Sequence, residues 1–73
     1  MDAVEMLLLF DYYGDMLTER QRMCLDLRYN QDLSLAEIAE EFGMKESNVA
    51  MLMLRTRLKL KEFLEKEGLY NER

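Results

Sequence analysis

Four basic residues at every second position, Arg55, Arg57, Lys59 and Lys61, are the densest run of like charge in this chain of 73 residues. The first chemistry to weigh is a phosphate track. Just upstream lie Lys45, Ser47 and Asn48. An asparagine there could address an adenine edge and a lysine a guanine edge or a phosphate, while Glu46 between them would repel phosphate. Alternate spacing works against a single track, because on a helix it places Arg55 and Lys59 on one face and Arg57 and Lys61 on another. Glu62 and Glu65 stand at helical spacing from Lys59 and Lys61 and can pair with them. A solvated helix flank accounts for these bases better than a phosphate track does.

Other reactive groups offer less. The chain has no histidine, so neither a His-based acid/base pair nor a His-containing triad can form. The three glycines make no phosphate-cradling loop. Glu37, Glu40 and Glu41 read as a solvated helix flank. Cys24 stands alone, without a partner for a disulfide or a Cys/His set for zinc, and between Met23 and Leu25 it reads as a buried structural thiol. Tyr12, Tyr13 and Tyr29 have no flanking Lys or Arg cluster for base stacking, and read as core or interface residues. No enzyme activity, cofactor or metal is expected.

The elements that position these residues are helices. There is no proline, good helix formers abound, and 49% of residues are apolar, which favours an all-α fold and excludes a disordered tail. The length allows one domain with one small core, residues 1–73, with a frayed tail from about residue 68. A first helix is expected from about Asp2 to Asp15. Its apolar residues, Val4, Met6 to Phe10, Tyr12, Tyr13 and Met16, exceed one stripe, so it has more apolar surface than one face of a monomer needs. Thr18 with Gln21 forms a capping box for a second helix carrying Met23, Cys24, Leu27 and Tyr29, which ends at the polar turn Asn30-Gln31-Asp32. Ser34 with Glu37 forms another for a short helix with Leu35, Ile38, Ala39 and Phe42 on its core face, closed by Gly43. The last helix is expected from about Glu46 to Glu67, before Gly68.

Ala39, Gly43, Val49 and Leu52 then acquire a joint meaning. Two helices that cross steeply over a tight turn need a small residue at the crossing and a residue tolerant of left-handed torsion in the turn. They also need apolar residues on the second helix to lock the angle. These four have that spacing, behind a capping box, and indicate a helix-turn-helix. The alternative is a plain helical hairpin, which would need no Ala or Gly at those places.

A helical wheel divides the last helix. Val49, Met53, Thr56, Leu60, Phe63 and Leu64 fall within about 60° of one line, with Leu52 at its edge, whereas Met51, Leu54 and Leu58 fall at about 140–200°, flanked by Ala50. A helix with one core stripe would be polar on that far side. That side is either packed by the short domain itself, left exposed, or covered by a partner protein or a second copy; the last is preferred, with Ala50, Met51, Leu54 and Leu58 as the candidate protein-interface residues. Lys45, Ser47, Asn48, Arg55 and Lys59 are the candidates for nucleic-acid binding.

The stretch "LLLFDYYGDMLTERQRMCLDLRYNQDLSLAEIAEEFGM" closely resembles the YlxM family of small bacterial helix-turn-helix proteins, carried by "LFDYYGDMLTERQ", "LRYNQDLSLAEIAEEFG" and an "RT…L…FLEKEGL" ending. The resemblance covers about Leu7 to Leu69. It implies a four-helix fold similar to region 4 of sigma factors, and an accessory or regulatory role linked to the signal recognition particle. The departure is at the last helix. Relatives usually place a serine N-cap and polar residues there, where this chain has Lys45 and Ala50, Met51, Leu52 and Leu54.

Charge bears on the choice of partner. Residues 1–43 carry ten acids and three bases, and residues 44–73 five acids and seven bases, for a total net charge of −5. Nucleic acid is thus not favoured by overall charge, and any anion-facing surface lies in the last third. The longest apolar run, Met6 to Phe10, is too short for a membrane span or signal peptide, so a cytoplasmic location is expected. The expectation is a non-enzymatic all-α helix-turn-helix protein. It acts mainly through protein contacts, with signal recognition particle components, a homodimer or both. A DNA-binding regulator of sigma region 4 type is the alternative.

Overall fold

Two capping boxes set the frame in the computed structural model, which describes residues 3–66. Thr18 accepts from the Gln21 amide at 3.2 Å while the Gln21 side chain accepts from the Thr18 amide at 3.0 Å, starting α2 (Glu19–Leu25). Ser34 and Glu37 repeat the exchange at 3.1 and 2.8 Å and start α3 (Leu35–Phe42). Each box satisfies two amides that a helix start would otherwise leave unbonded. Before them runs α1 (Ala3–Tyr13), and after them α4 (Glu46–Lys66). The described residues contain four α-helices and no strand. The fold is all-α, as expected, and the expected terminator Gly68 lies outside the described residues.

Helix α1 gives way at Gly14 to a 3₁₀ turn, Gly14–Met16, about two residues before the expected end. A larger difference follows α2. Residues Asp26–Asn30 form a π-helical turn rather than continuing the α-helix to the polar turn. Its wider ring is closed by the Gln31 amide bonding to the Asp26 carbonyl at 3.1 Å. The Asp26 carboxylate also accepts from Asn30 Nδ2 at 2.8 Å and Gln31 Nε2 at 3.0 Å. Asp32 then takes φ 60°, and the chain is turned into α3 by Leu33 N bonding to the Leu27 carbonyl at 2.9 Å and by Arg28 Nη1 donating to the Leu33 carbonyl at 3.0 Å.

The core joins all four helices. It is built from Met6, Leu9 and Tyr13 of α1, Leu17, Cys24 and Leu25 around α2, Ile38 and Ala39 of α3, and Val49, Met53, Thr56 and Leu60 of α4. On α2 the buried pair is Cys24 and Leu25, whereas Met23 is exposed. Apolar residues occupy 23, 24, 25 and 27, so the wheel alone could not select the face that α4 covers. Among the described residues Thr56 is the one buried polar residue, and it satisfies its hydroxyl by donating to the Leu52 carbonyl at 2.7 Å.

Candidate functional site

The turn between α3 and α4 is built as the spacing of Ala39, Gly43, Val49 and Leu52 implies. Ala39 is buried at the crossing, Val49 is fully buried, and Leu52 packs half-buried against the same cluster. Gly43 sits at φ 65°, ψ 37° in the left-handed region, and Met44 N bonds back to the Ala39 carbonyl at 2.9 Å. Arg20 of α2 braces the far side of this turn. Its guanidinium lies 4.5 Å over the Phe42 ring, and Nη1 reaches Met44 Sδ at 3.3 Å.

Helix α4 starts without a serine or aspartate cap, on Lys45. The Asn48 and Val49 amides bond to the Lys45 carbonyl at 3.0 and 3.1 Å. Lys45, Glu46, Ser47 and Asn48 are all exposed at this end. One turn further, Met51 (47% exposed), Leu54 (42%) and Leu58 (53%) line the side of α4 away from the core, with Ala50 exposed on its flank. The opposite side holds Val49, Met53, Thr56 and Leu60, with Phe63 and Leu64 half-buried. The wheel division of α4 therefore holds at every one of these positions.

The four bases do not converge. Arg55 is exposed beside the apolar stripe, and Lys59, half-buried, turns its Nζ to Gln21 Oε1 of α2 at 3.4 Å rather than toward Glu62. Arg57 reaches across to the Tyr29 hydroxyl at 3.5 Å. The arrangement is an apolar stripe bordered by basic side chains.

A second stripe was legible in the sequence only as an excess. On α1, Val4 (66% exposed), Leu8 (63%) and Tyr12 (72%) stand at four-residue spacing, and Met16 is exposed just beyond. Of the tyrosines, Tyr13 is buried, stacked in a tilted contact 5.6 Å from the Phe63 ring, and Tyr29 is half-buried.

Chemistry requiring a reactive centre finds little here. Cys24 is fully buried with its Sγ 3.9 Å from Met53 Sδ. Burial pushes its thiol pKa up, only partly opposed by the charge of Arg20. Among the described residues no group of His, Cys, Asp and Glu could hold a metal ion, and no helix is long and apolar enough to cross a membrane.

The sequence of this chain has relatives among known proteins. A family model described as "Putative helix-turn-helix protein, YlxM / p13 like" (UPF0122) matches residues 1–73. A UPF0122 protein of Clostridium kluyveri is 42% identical over 72 residues, covering 99% of this chain and 65% of the relative. One from Desulforamulus reducens is 43% identical over 65 residues, and one from Halalkalibacterium halodurans 46% over 61. These two alignments cover 89% and 84% of this chain, and 56% of each relative. The chain thus spans between half and two-thirds of the length of these relatives.

Proposed function

Because the chain belongs to the YlxM/p13-like helix-turn-helix family, we propose that it is a non-enzymatic, cytoplasmic accessory or regulatory factor that uses the helix-turn-helix as a protein-binding frame. The observation that carries this reading is the exposed stripe Met51, Leu54 and Leu58 on the outward side of α4. A helix that reads base edges needs donors and acceptors there, whereas methionine and leucine offer contact to thymine methyls and little else. Contiguous exposed apolar surface of this kind suits the groove or helix of a protein partner. The resemblance to YlxM supports a partner in the signal recognition particle pathway.

DNA binding is a second reading, favoured by one observation. Lys45, Ser47 and Asn48 are exposed together at the start of α4, with Arg55 exposed further along it. The two readings separate by mutation. The Met51→Ser/Leu54→Ser variant should lose binding to purified signal recognition particle components, followed by fluorescence anisotropy of the labelled chain. It should leave affinity for duplex DNA unchanged. If instead the chain binds mixed-sequence duplex at about 10⁻⁴ to 10⁻⁶ M with a steep fall in salt, and Arg55→Ala/Lys59→Ala weakens that binding and shallows the salt slope, DNA is the ligand. If neither pair of substitutions changes any binding, α4 is the wrong surface.

A further inference from the structure

We propose that the exposed stripe of α4 is covered by α1 of a second copy of this chain, the acid-flanked apolar stripe of α1 lying against the base-flanked stripe of α4. The proposal rests on the reading of α4 as a protein-binding face and names its occupant.

Three properties of the two stripes are complementary. The first is length. Val4 to Tyr12 spans eight helical steps and Met51 to Leu58 seven, roughly 12 and 10 Å at 1.5 Å per residue, so neither stripe leaves much of the other uncovered. The second is pattern. Val4, Leu8 and Tyr12 follow i, i+4, i+8, and Met51, Leu54 and Leu58 follow i, i+3, i+7. The first is an i±4n ridge, of the kind that fits the groove of a neighbouring helix, and the second keeps its three residues on one side of α4. The third is charge. Residues 3–16 contain Glu5, Asp11 and Asp15 and no base, whereas residues 51–61 contain Arg55, Arg57, Lys59 and Lys61 and no acid. On the wheel the two pairs of bases fall on opposite sides of the α4 stripe, and Asp11 falls beside Val4 and Leu8.

Charge also disfavours the simpler alternatives. Pairing α1 with its own copy would bring acids onto acids, and pairing α4 with its own copy would bring bases onto bases, which opposes association. Asp11 and Arg55 are both exposed, with no ion pair or side-chain hydrogen bond among the described residues. They are therefore available across an interface, whereas Asp15 is engaged by Arg22 at 3.4 Å. The contact closes as a dimer if α1 and α4 are used reciprocally about a two-fold axis, and otherwise grows head to tail.

The test is self-association of the full chain by sedimentation velocity, with Leu8→Lys and Leu58→Glu as probes and circular dichroism to verify that each variant stays folded. Both positions are solvent-exposed, so folding should survive. The wild type is expected to associate with rising concentration, less so at high salt. Each variant alone should weaken association at least tenfold, the scale of an interface anchor. An equimolar mixture of the two variants should recover a dimer, because the intact α4 of one meets the intact α1 of the other. A wild type that stays monomeric at every concentration overturns the proposal, and so does a mixture that fails to recover. If Leu58→Glu disrupts association but Leu8→Lys does not, the inference falls while the reading of α4 as a protein face stands. If Leu8→Lys alone disrupts it, α1 pairs with itself and the inference falls. If association proceeds unchanged in both variants, another surface carries it and the inference falls, while the partner-binding assay with Met51→Ser/Leu54→Ser separately decides the α4 reading.

Discussion

Replacing Gly43 by alanine isolates the conformational cost of the helix-turn-helix turn. The residue has φ 65°, and a Cβ added there meets no heavy atom within 4 Å. The penalty is therefore torsional and not steric. An L-residue in the left-handed region costs roughly 1–2 kcal/mol. Against this stands a gain of roughly 0.4–1 kcal/mol, because alanine restricts the unfolded chain more than glycine does. The net loss expected for Gly43→Ala is about 1 kcal/mol, which in a domain of this size lowers Tm by roughly 4–8 °C. Asparagine tolerates the left-handed region better, so Gly43→Asn should lose clearly less than alanine. Urea denaturation followed by circular dichroism gives both values, with the m-value unchanged if the folded state keeps its shape. A Gly43→Ala variant clearly more stable than the wild type would refute the torsional argument. So would a loss above about 3 kcal/mol, which would require a steric clash, and so would Asn and Ala behaving alike.

Two further outcomes follow from side-chain geometry. Ser34→Ala removes the hydroxyl that accepts from the Glu37 amide at 3.1 Å and should cost about 1 kcal/mol in the same urea assay, with Ser34→Asp close to wild type. The Cys24 thiol is held above its ordinary value of 9.0 by burial. The stability from keeping it neutral is thus fully present below pH 9.0 and is lost as pH rises through the raised folded value. The stability advantage of the wild type over Cys24→Ala should therefore shrink between pH 8 and pH 10, and an advantage that grows would reverse the sign of the argument.

Much of the fold was legible because its signals are local. The capping residues Thr18, Gln21, Ser34 and Glu37 act within four residues of one another, and the left-handed turn needs only Gly43. The two sides of α4 were also legible, since on a helix of 21 residues a polar–apolar division repeats often enough to be read. The π-helical turn at Asp26–Asn30 was not. One extra residue per turn leaves no periodic trace over so short a span, and the Asn30 and Gln31 side chains that bond to Asp26 look in sequence like an ordinary polar turn. Which of the successive apolar residues Met23, Cys24 and Leu25 are buried, and the exposure of Val4, Leu8 and Tyr12, were hidden for another reason. On α1 nearly every side is apolar, and α2 carries Met23, Cys24 and Leu25 in succession, so only the neighbouring helix decides which side is buried. The candidate α4 stripe could be read from the sequence, but its proposed counterpart on α1 had to await the fold.

The position of α4 at the centre of the core has a consequence for the thermodynamics of recognition. The other helices meet its inner side through Met6, Leu25, Ile38 and their neighbours, so loosening the segment bearing Met51, Leu54 and Leu58 would also break the core packing of Val49, Met53, Thr56 and Leu60. Its backbone is already ordered before any partner arrives. On the proposed reading, binding there would forfeit little conformational entropy, because two preformed helical stripes would meet.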